Sequence, residues 1–243
     1  MGARVKFEII SVLVLGLLLA LLQTQFANGM EPTDTARSSL HPVSPNNHTT
    51  TALYEKGLAY LQSEQMDSAA QYLEITLSTD PEYIPAFINL GRAYIATEQY
   101  HKADQVLTHA VSIDSLNSEL WRVYGRLMHS EHRNPEAIKA YQRSIELAHY
   151  NPYARNNLAL LYMSDGRYQE AVQMFDEAVA QKDDVPFFYN NLGIAYENMT
   201  QYREAATAYQ HALDIQPEYP KARMNFRRIQ NHLQNVSSVY QEE

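Results

Sequence analysis

A fixed internal period constrains this chain more than any other feature of its sequence. Two series of small residues each recur at steps of 34 positions, four times in succession. The first series is Gly57, Gly91, Gly125, Ala159 and Gly193, and the second is Ala69, Ala103, Ala137, Ala171 and Ala205. A period of this length is typical of a stack of repeated supersecondary units. Because neither series slips, we predict five units without insertion or deletion, spanning residues 50–83, 84–117, 118–151, 152–185 and 186–219.

Each unit carries the pattern of two helices separated by a turn. In the fifth unit Tyr189, Leu192 and Tyr196 recur at helical spacing, and the half that follows repeats this spacing around its alanine. Asn134 and Pro135 place a cap and a first-turn proline before the second helix of the third unit. The sequence therefore predicts an all-α fold of five helix-turn-helix units.

A glycine stands at one register of the first helix in four of the five units. Within a helix a glycine is about 1 kcal/mol less favourable than an alanine, so this recurrence needs a structural reason. The simplest reason is close approach of the two helices of a unit. We expect Gly57 to face Ala69 across the first helix pair, with no room for a larger side chain.

These units resemble the tetratricopeptide repeat, whose pattern is W-x2-L-G-x2-Y, then A-x3-F, then P over 34 residues. The matching residues are Trp121; Leu90, Gly91 and Tyr94; Leu192, Gly193 and Tyr196; Ala171 and Phe175; and Pro81 and Pro217. The resemblance covers residues 50–219 and implies a right-handed superhelical solenoid whose first helices line the concave side. Lys56 replaces an apolar residue and suggests a looser first unit. The closing proline is replaced by Ser115, His149 and Asp183.

One more helix is expected after the fifth unit. Beyond Pro220, apolar residues recur at helical spacing, and most other positions carry Arg, Lys or Gln. A stacked solenoid needs a polar terminal element to cover its last apolar face. We therefore assign residues 220–235 to a capping helix and residues 236–243 to a polar tail.

The N-terminal segment has the pattern of an export signal. Arg4 and Lys6 precede an apolar run at residues 9–22, which is shorter than the ~20 residues of a membrane-spanning helix. We predict that residues 1–29 are a signal peptide, and the alternative is an uncleaved anchor over residues 7–26. Both interpretations place the rest of the chain outside the cytoplasm, because the basic residues hold the N-terminus inside.

Residues 30–49 are rich in Pro, Ser and Thr and show no apolar periodicity, so we interpret them as a flexible spacer. The repeats are then expected in the periplasm or secreted from the cell. If the anchor is retained, the spacer becomes a tether and the repeats stay membrane-anchored outside the cytoplasm. Contact with the membrane is expected only through the uncleaved N-terminal segment.

Composition and motifs argue against catalysis. The chain has no Cys, which excludes disulfides, a cysteine nucleophile and a cysteine zinc site. Its net charge of -9 argues against a nucleic-acid binder. His129 and His132 lie three residues apart without a third ligand at suitable spacing, so we expect no metal site. With no Gly-rich phosphate loop and no G-x-S-x-G motif, we predict a protein that is not an enzyme and has no cofactor.

The family resemblance implies which side chains of the first helices face a ligand. The candidate binding residues are Tyr54, Asn89, Arg92, Arg122, Arg126, Asn156, Asn157, Asn190, Asn191 and Asn225. Four of the asparagines share one register, and Val123 is the exception in that register. Because an amide both donates and accepts hydrogen bonds, such a row can hold an extended peptide backbone. The alternative is that Asn is simply frequent at this position of the repeat.

Three arginines, Arg92, Arg122 and Arg126, are expected to converge in the middle of the concave side. They predict an anion site for a carboxylate, a phosphate or an acidic peptide segment. The alternative is that they pair with Glu119 and other neighbouring acids. The two-carboxylate clamp of chaperone-binding family members is not expected, because other residues occupy its key positions in the first unit.

The sequence thus predicts an exported scaffold that binds a partner protein or an extended peptide in its concave groove. Its expected role is cell-envelope assembly or complex formation. The alternative is a membrane-anchored assembly factor that uses the same groove. A third hypothesis, an enzyme or metal-carrier subunit, lacks a nucleophile–base pair and a set of metal ligands.

Overall fold

The computed structural model describes residues 47–239, with side chains described for residues 48–235. Every regular element in that range is an α-helix. The helices are α1 (Asn47–Gln62), α2 (Met66–Thr79), α3 (Ile84–Ala96), α4 (Tyr100–Ile113), α5 (Ser118–Ser130), α6 (Asn134–Leu147), α7 (Pro152–Ser164), α8 (Tyr168–Gln181), α9 (Pro186–Asn198), α10 (Tyr202–Ile215) and α11 (Pro220–Val239). None of these helices is long and apolar enough to span a membrane. The signal peptide or anchor predicted at residues 1–29, and most of the spacer, lie outside the described residues.

Consecutive helices pack on one another in chain order. In the second to fifth units the two helices of a unit are paired, and the second helix then packs on the first helix of the next unit. First helices of neighbouring units also touch each other, as α3 touches α5 and α9 touches both α7 and α11. The first helices therefore form one side of the stack, which we call the inner wall. The predicted all-α solenoid is confirmed.

The turn inside each unit uses one residue in the left-handed region of backbone conformation. The φ angles are 59° at Glu64, 58° at Glu98, 58° at His132, 73° at Gly166 and 60° at Thr200. These residues are 34 positions apart, so the turn geometry repeats with the sequence period. Only Gly166 lacks a Cβ that opposes this conformation. In the other four units the packed helices offset a backbone cost of about 1 kcal/mol per turn.

The repeated glycine lies where the second helix of a unit crosses the first. A Cβ built on Gly91 would lie 2.6 Å from Leu107, and one built on Gly57 would lie 3.0 Å from Leu73. The neighbour of Gly57 is therefore Leu73, and not the side chain of Ala69 as expected, whose carbonyl oxygen is 3.7 Å away. Helical side chains lean toward the N-terminus of their own helix, so a residue one turn further along covers this spot.

Two of the crossing residues are tyrosines that reach the inner wall. Tyr141 crosses Gly125, and Tyr209 crosses Gly193, with ring atoms 2.8 Å and 2.5 Å from the position a Cβ would take. Both rings are buried, and the hydroxyl of Tyr209 donates a hydrogen bond to Glu197 on the inner wall. A second helix thus contributes a polar group to the first-helix surface through the gap that the glycine leaves.

Three junctions between units are closed by a side chain that reaches back six residues to a carbonyl oxygen. The bonds run from Trp121 Nε1 to Ser115 O at 2.8 Å, from Arg155 Nη1 to His149 O at 2.7 Å, and from Arg223 Nη2 to Pro217 O at 2.8 Å. Each donor is the fourth residue of its unit, and each acceptor is at the closing position of the preceding unit. At two of the three junctions the closing position has no proline. The hydrogen bond restrains the chain there in place of the rigid proline ring.

The two ends of the stack differ from its middle. Helix α1 includes Asn47, which is the first described residue and lies three residues before the predicted first unit. Helix α11 runs to Val239, four residues beyond the predicted end of the capping helix. Arg227 stands in α11 at the register where the five units have Gly or Ala. A second helix could not approach α11 as closely there, which ends the repeat.

The charged residue expected to loosen the first unit stays on its surface. Lys56 is exposed, and its Nζ lies 4.3 Å from the centroid of the Tyr72 ring. That ring is stacked on Tyr60 with centroids 5.3 Å apart. A cation–π contact therefore accommodates the lysine without placing its charge in the apolar interior.

Candidate functional site

All ten predicted binding residues lie on first helices, and their burial divides the six asparagines into two groups. Asn89, Asn156 and Asn190 are buried. Asn157, Asn191 and Asn225 are partly exposed. The second group is therefore the one that offers side-chain atoms to a ligand.

The buried asparagines of the C-terminal half link neighbouring first helices. Asn191 Nδ2 donates to Asn156 Oδ1 at 3.0 Å, and Asn225 Nδ2 donates to Asn190 Oδ1 at 3.1 Å. These bonds join α7 to α9 and α9 to α11. Asn156 and Asn190 therefore serve the packing of the solenoid, which is part of what the alternative interpretation of the asparagine row expected.

Both side-chain N–H groups of Asn89 donate hydrogen bonds within the protein. Its Nδ2 donates to Tyr54 Oη at 2.9 Å and to Pro85 O at 3.0 Å, and its Oδ1 accepts from Arg92 Nη1 at 3.0 Å. An amide group has two donor hydrogens and one acceptor oxygen, so no donor remains for a ligand. Tyr54 and Asn89 thus tie α1 to α3, and burial raises the pKa of the Tyr54 phenol.

The partly exposed asparagines keep unused bonding capacity. Within the described chain, Asn191 donates one hydrogen bond and its Oδ1 accepts none. Asn157 Oδ1 accepts from Asn156 Nδ2 at 3.3 Å, and Asn225 Oδ1 accepts from Arg228 at 3.3 Å. An extended backbone passing this surface would find its best free acceptor at Asn191, and Asn157 lies one unit away in the same register.

Glu119 lies between two of the three arginines. Its carboxylate forms ion pairs with Arg92 and Arg122, and Arg122 Nε donates to Glu119 Oε2 at 2.7 Å. Burial alone would raise the pKa of Glu119, but its hydrogen bonds and charge interactions with the two arginines lower it overall. The carboxylate is therefore ionised and holds both guanidinium groups in place.

Arg126 has no such partner. In the described part of the chain it pairs with no carboxylate, and its one hydrogen bond, from Nη2 to Arg92 O, is long at 3.5 Å. Burial, and then the positive charges of Arg122 and Arg92, lower the pKa of its guanidinium. Three cations against one carboxylate leave two positive charges uncompensated. The inner wall of this acidic protein thus contains a local excess of positive charge, and the predicted anion site there stays a prediction.

Replacing Glu119 with Gln is expected to lower the free energy of unfolding by about 1–2 kcal/mol at pH 7, because Arg92 and Arg122 lose the carboxylate that pairs with both of them in a partly buried place. The folded pKa of Glu119 lies below its ordinary 4.5. Its stabilisation is therefore complete above that value and is lost as the pH falls through the folded pKa. Urea denaturation at pH 7 and at pH 4 measures both effects.

The matched control for Glu119 is the exposed carboxylate Glu170, which pairs with Arg167 outside the inner wall. Glu170→Gln is expected to leave the urea midpoint nearly unchanged, because solvent screens an exposed ion pair. Equal losses in the two variants would show that Glu119 has no special role among the arginines.

The two histidines considered as metal ligands do not gather further ligands. No group of three His, Asp or Glu side chains within residues 48–235 is arranged to hold a metal ion. Burial, and then the neighbouring His132, lower the pKa of His129. In this neutral form His129 is a partly buried polar side chain beside the turn.

Sequence reasoning missed the two tyrosines that enter the inner wall from second helices. The ring of Tyr141 fills the gap at Gly125, and Tyr209 shares Glu197 with Arg228, which donates to that carboxylate at 2.8 Å. In the sequence, these two units have Tyr at the register opposite the repeated glycine, where the other units have Leu or Phe. This pattern does not by itself indicate a polar contact, because tyrosines in repeats usually serve packing.

Fold and inner wall together define a tetratricopeptide-repeat solenoid with a polar and cationic inner surface. A family model, that of the C-terminal tetratricopeptide-repeat domain of cilia and flagella-associated protein 70, matches residues 31–213. The chain belongs to this tetratricopeptide-repeat family. None of the curated proteins compared with it matches.

Solved structures of the same fold include three that illustrate its range. Pseudomonas aeruginosa pilF has a TM-score of 0.70 at 18% identity, covering 82% of this chain and 90% of its own. A chain of the APC/C hetero-tetramer Cut9–Hcn1 has a TM-score of 0.68 at 19% identity, covering 75% and 36%. MamA has a TM-score of 0.55 at 25% identity, covering 71% and 94%. The first two similarities show the fold alone.

Proposed function

We propose that this protein is an exported scaffold that holds an extended segment of a partner protein along its inner wall. The segment carries at least one acidic residue, and the scaffold contributes to cell-envelope assembly or to the formation of another complex. The scaffold binds and orients its partner without chemical conversion. Export follows from the signal-like pattern of residues 1–29.

The observation that carries this proposal is unused polar capacity on a surface where most polar groups are paired. Asn191 keeps a free acceptor, and Arg126 lacks a carboxylate partner within the described residues. An extended peptide supplies backbone N–H and C=O groups that an asparagine side chain can match. An acidic residue of the same peptide would supply the charge that Arg126 lacks.

Site-specific photo-crosslinking in the native host tests the proposal. A photoreactive residue at Leu160, a partly buried position of the inner wall, is expected to capture a partner. The same residue at Gln173, exposed on the second helix α8, is the matched control. The double variant Asn157→Ala/Asn191→Ala is expected to lower capture from Leu160 severalfold, because the backbone contacts are lost, and to leave the helical circular-dichroism signal unchanged.

Two results would contradict the proposed groove. Equal capture from Leu160 and Gln173 would mean that the inner wall is not the binding surface. Full capture by the double asparagine variant, in a protein of unchanged helicity, would mean that the asparagine row serves only the packing of the solenoid.

The second candidate keeps the same groove but leaves the protein anchored in a membrane. It rests on the apolar run at residues 9–22, which an uncleaved anchor would extend to residues 7–26. The mass of the mature N-terminus in the native host separates the two candidates. A start at Met30 supports export with cleavage, and an intact N-terminus in the membrane fraction supports the anchor.

A further inference from the structure

An aromatic edge lies on the inner wall where helices α7 and α9 begin. Tyr153 and Phe187 are exposed to 41% and 36%, and both contact the ring of Phe188, which is fully buried. The Phe187 and Phe188 centroids are 4.8 Å apart, Tyr153 and Phe188 are 5.4 Å apart, and Tyr153 and Phe187 are 6.5 Å apart. A buried ring therefore supports two neighbouring rings that remain open to solvent.

The repeat fold does not require these two aromatic residues. Tyr153 and Phe187 are the second residues of the fourth and fifth units. The equivalent residues elsewhere are Thr51, Pro85, Glu119 and Lys221. These smaller, polar or charged residues serve the same register without loss of the fold, so the exposed rings in two adjacent units are specific to this part of the wall.

The aromatic edge is continuous with the arginines of the inner wall. Arg122 Cζ lies 5.9 Å from the centroid of the Tyr153 ring, and Arg122 is itself held by Glu119. Arg126, the arginine without a carboxylate partner, stands one helical turn further along α5, roughly 6 Å away. An open cationic position and an open apolar position therefore lie side by side on one surface.

The separation between the two positions defines the spacing of a ligand. Two legs of about 6 Å each lead from Arg126 past Arg122 to the Tyr153 ring, so the two positions lie at most about 12 Å apart, a distance that about four extended residues cover at ~3.3 Å each. A bound segment would therefore place its acidic residue and its apolar residue within about four positions of each other.

We propose that the inner wall recognises an extended partner segment in which an acidic residue is followed or preceded, within about four positions, by an aromatic or large aliphatic residue. The acidic side chain binds Arg126, and the apolar side chain covers the rings of Tyr153 and Phe187. This inference rests on the proposed groove function and names the chemistry of its partner. The positive charge beside the aromatic edge favours a partner of net negative charge in this stretch.

Selection from a displayed library of random twelve-residue peptides on the full chain, kept in mild detergent, tests the inference. The selected peptides are expected to be enriched in Asp or Glu within about four positions of an aromatic or large aliphatic residue. The best peptide is then labelled, and its dissociation constant is measured by fluorescence anisotropy. Replacing its acid by the amide, or its apolar residue by Ala, is expected to weaken binding about tenfold each.

Variants of the protein assign each part of the peptide to its site. Arg126→Gln should remove the preference for the acid, and Tyr153→Ser with Phe187→Ser should remove the preference for the apolar residue. In double-mutant cycles, Arg126→Gln and the acid-to-amide peptide should together cost little more than either alone. Arg203→Gln, an exposed arginine of the second helix α10 without an ion pair in the described chain, is the matched control and should leave binding unchanged.

The outcomes separate this inference from the groove itself. Selected peptides that compete for the inner wall but lack the acid–apolar spacing would overturn the inference and leave the groove function intact. Peptides that bind equally to the wild type and to the Asn157→Ala/Asn191→Ala variant would count against the groove function. Because Arg126→Gln removes like-charge repulsion, its thermal stability should not fall, so lost binding in that variant would not reflect unfolding.

Discussion

Replacement of Arg155 by Ala is expected to lower the free energy of unfolding by about 3 kcal/mol, the size typical of deleting a large buried side chain together with its hydrogen bonds. The side chain of Arg155 is only 2% exposed, although it carries a charge. It lies at the junction of the third and fourth units, where the closing proline is missing. Loss of this residue therefore removes both packing and the bond that closes the junction.

The partners of Arg155 explain why a charge is tolerated there. Arg155 Nε donates to Glu177 Oε2 at 2.9 Å, and Nη1 donates to His149 O at 2.7 Å. Gln181 Oε1 lies 3.4 Å from Nη1, and Gln181 Nε2 also donates to His149 O at 3.0 Å. The guanidinium is thus held by one carboxylate, one loop carbonyl and the side-chain oxygen of Gln181, as a buried charge requires.

Arg223 supplies a matched control for Arg155. It holds the same register in the capping helix and makes the same kind of bond, to Pro217 O, but its side chain is 48% exposed. Arg223→Ala is expected to cost less than about 1 kcal/mol, because a solvated group loses little on release. Arg155→Met retains most of the buried volume and is expected to fall between the two alanine variants. Equal midpoints in urea for the two alanine variants would contradict the role assigned to burial.

Replacement of Gly193 by Ala is expected to destabilise the protein by about 2 kcal/mol, within the usual range for overpacking a filled core. The new Cβ would lie 2.5 Å from a ring carbon of Tyr209. Tyr209 is fully buried, and its hydroxyl is bound to Glu197, so its ring has no free direction in which to move. This clash outweighs the gain of about 1 kcal/mol that Ala brings to a helix interior.

Gly57 is the matched control for Gly193 because it occupies the same register in the first unit. Its new Cβ would lie 3.0 Å from the Leu73 side chain, which can shift by a few tenths of an ångström. Gly57→Ala is therefore expected to stay within about 0.5 kcal/mol of the wild type, since the helix propensity of Ala offsets a mild contact. Thermal unfolding of both variants measures the difference.

A second-site change checks the cause of the Gly193 effect. In a Gly193→Ala/Tyr209→Ala variant, no large side chain remains opposite residue 193. The pair is expected to be more stable than the sum of the two single changes predicts, because the clash disappears. If the free-energy changes of the two single variants simply add up in the double variant, the cost of Gly193→Ala does not come from a clash with the Tyr209 ring.

The inner wall shows where residue patterns are informative and where they stop. The register of Asn157, Asn191 and Asn225 placed them on the wall, because a helix repeats its faces regularly. The number of asparagines in this register does not indicate which of their side chains already form hydrogen bonds within the protein. Asn89 and Asn157 share one register, yet Asn89 is buried and donates to Tyr54 of the first unit, whereas Asn157 stays partly exposed. That difference arises from neighbours in other units, which a single repeat does not contain.

The sequence by itself determined the number of units, their two-helix form and the close contact at the repeated glycine. These follow from local periodicity, since each unit packs mainly on its neighbours and the same small residue is needed at every crossing. Only the tertiary structure decided that Glu119 pairs with Arg92 and Arg122 but not with Arg126, and that Tyr153 and Phe187 form one aromatic edge. Pairing and exposure depend on distances between side chains of different units, which the repeat period alone does not specify.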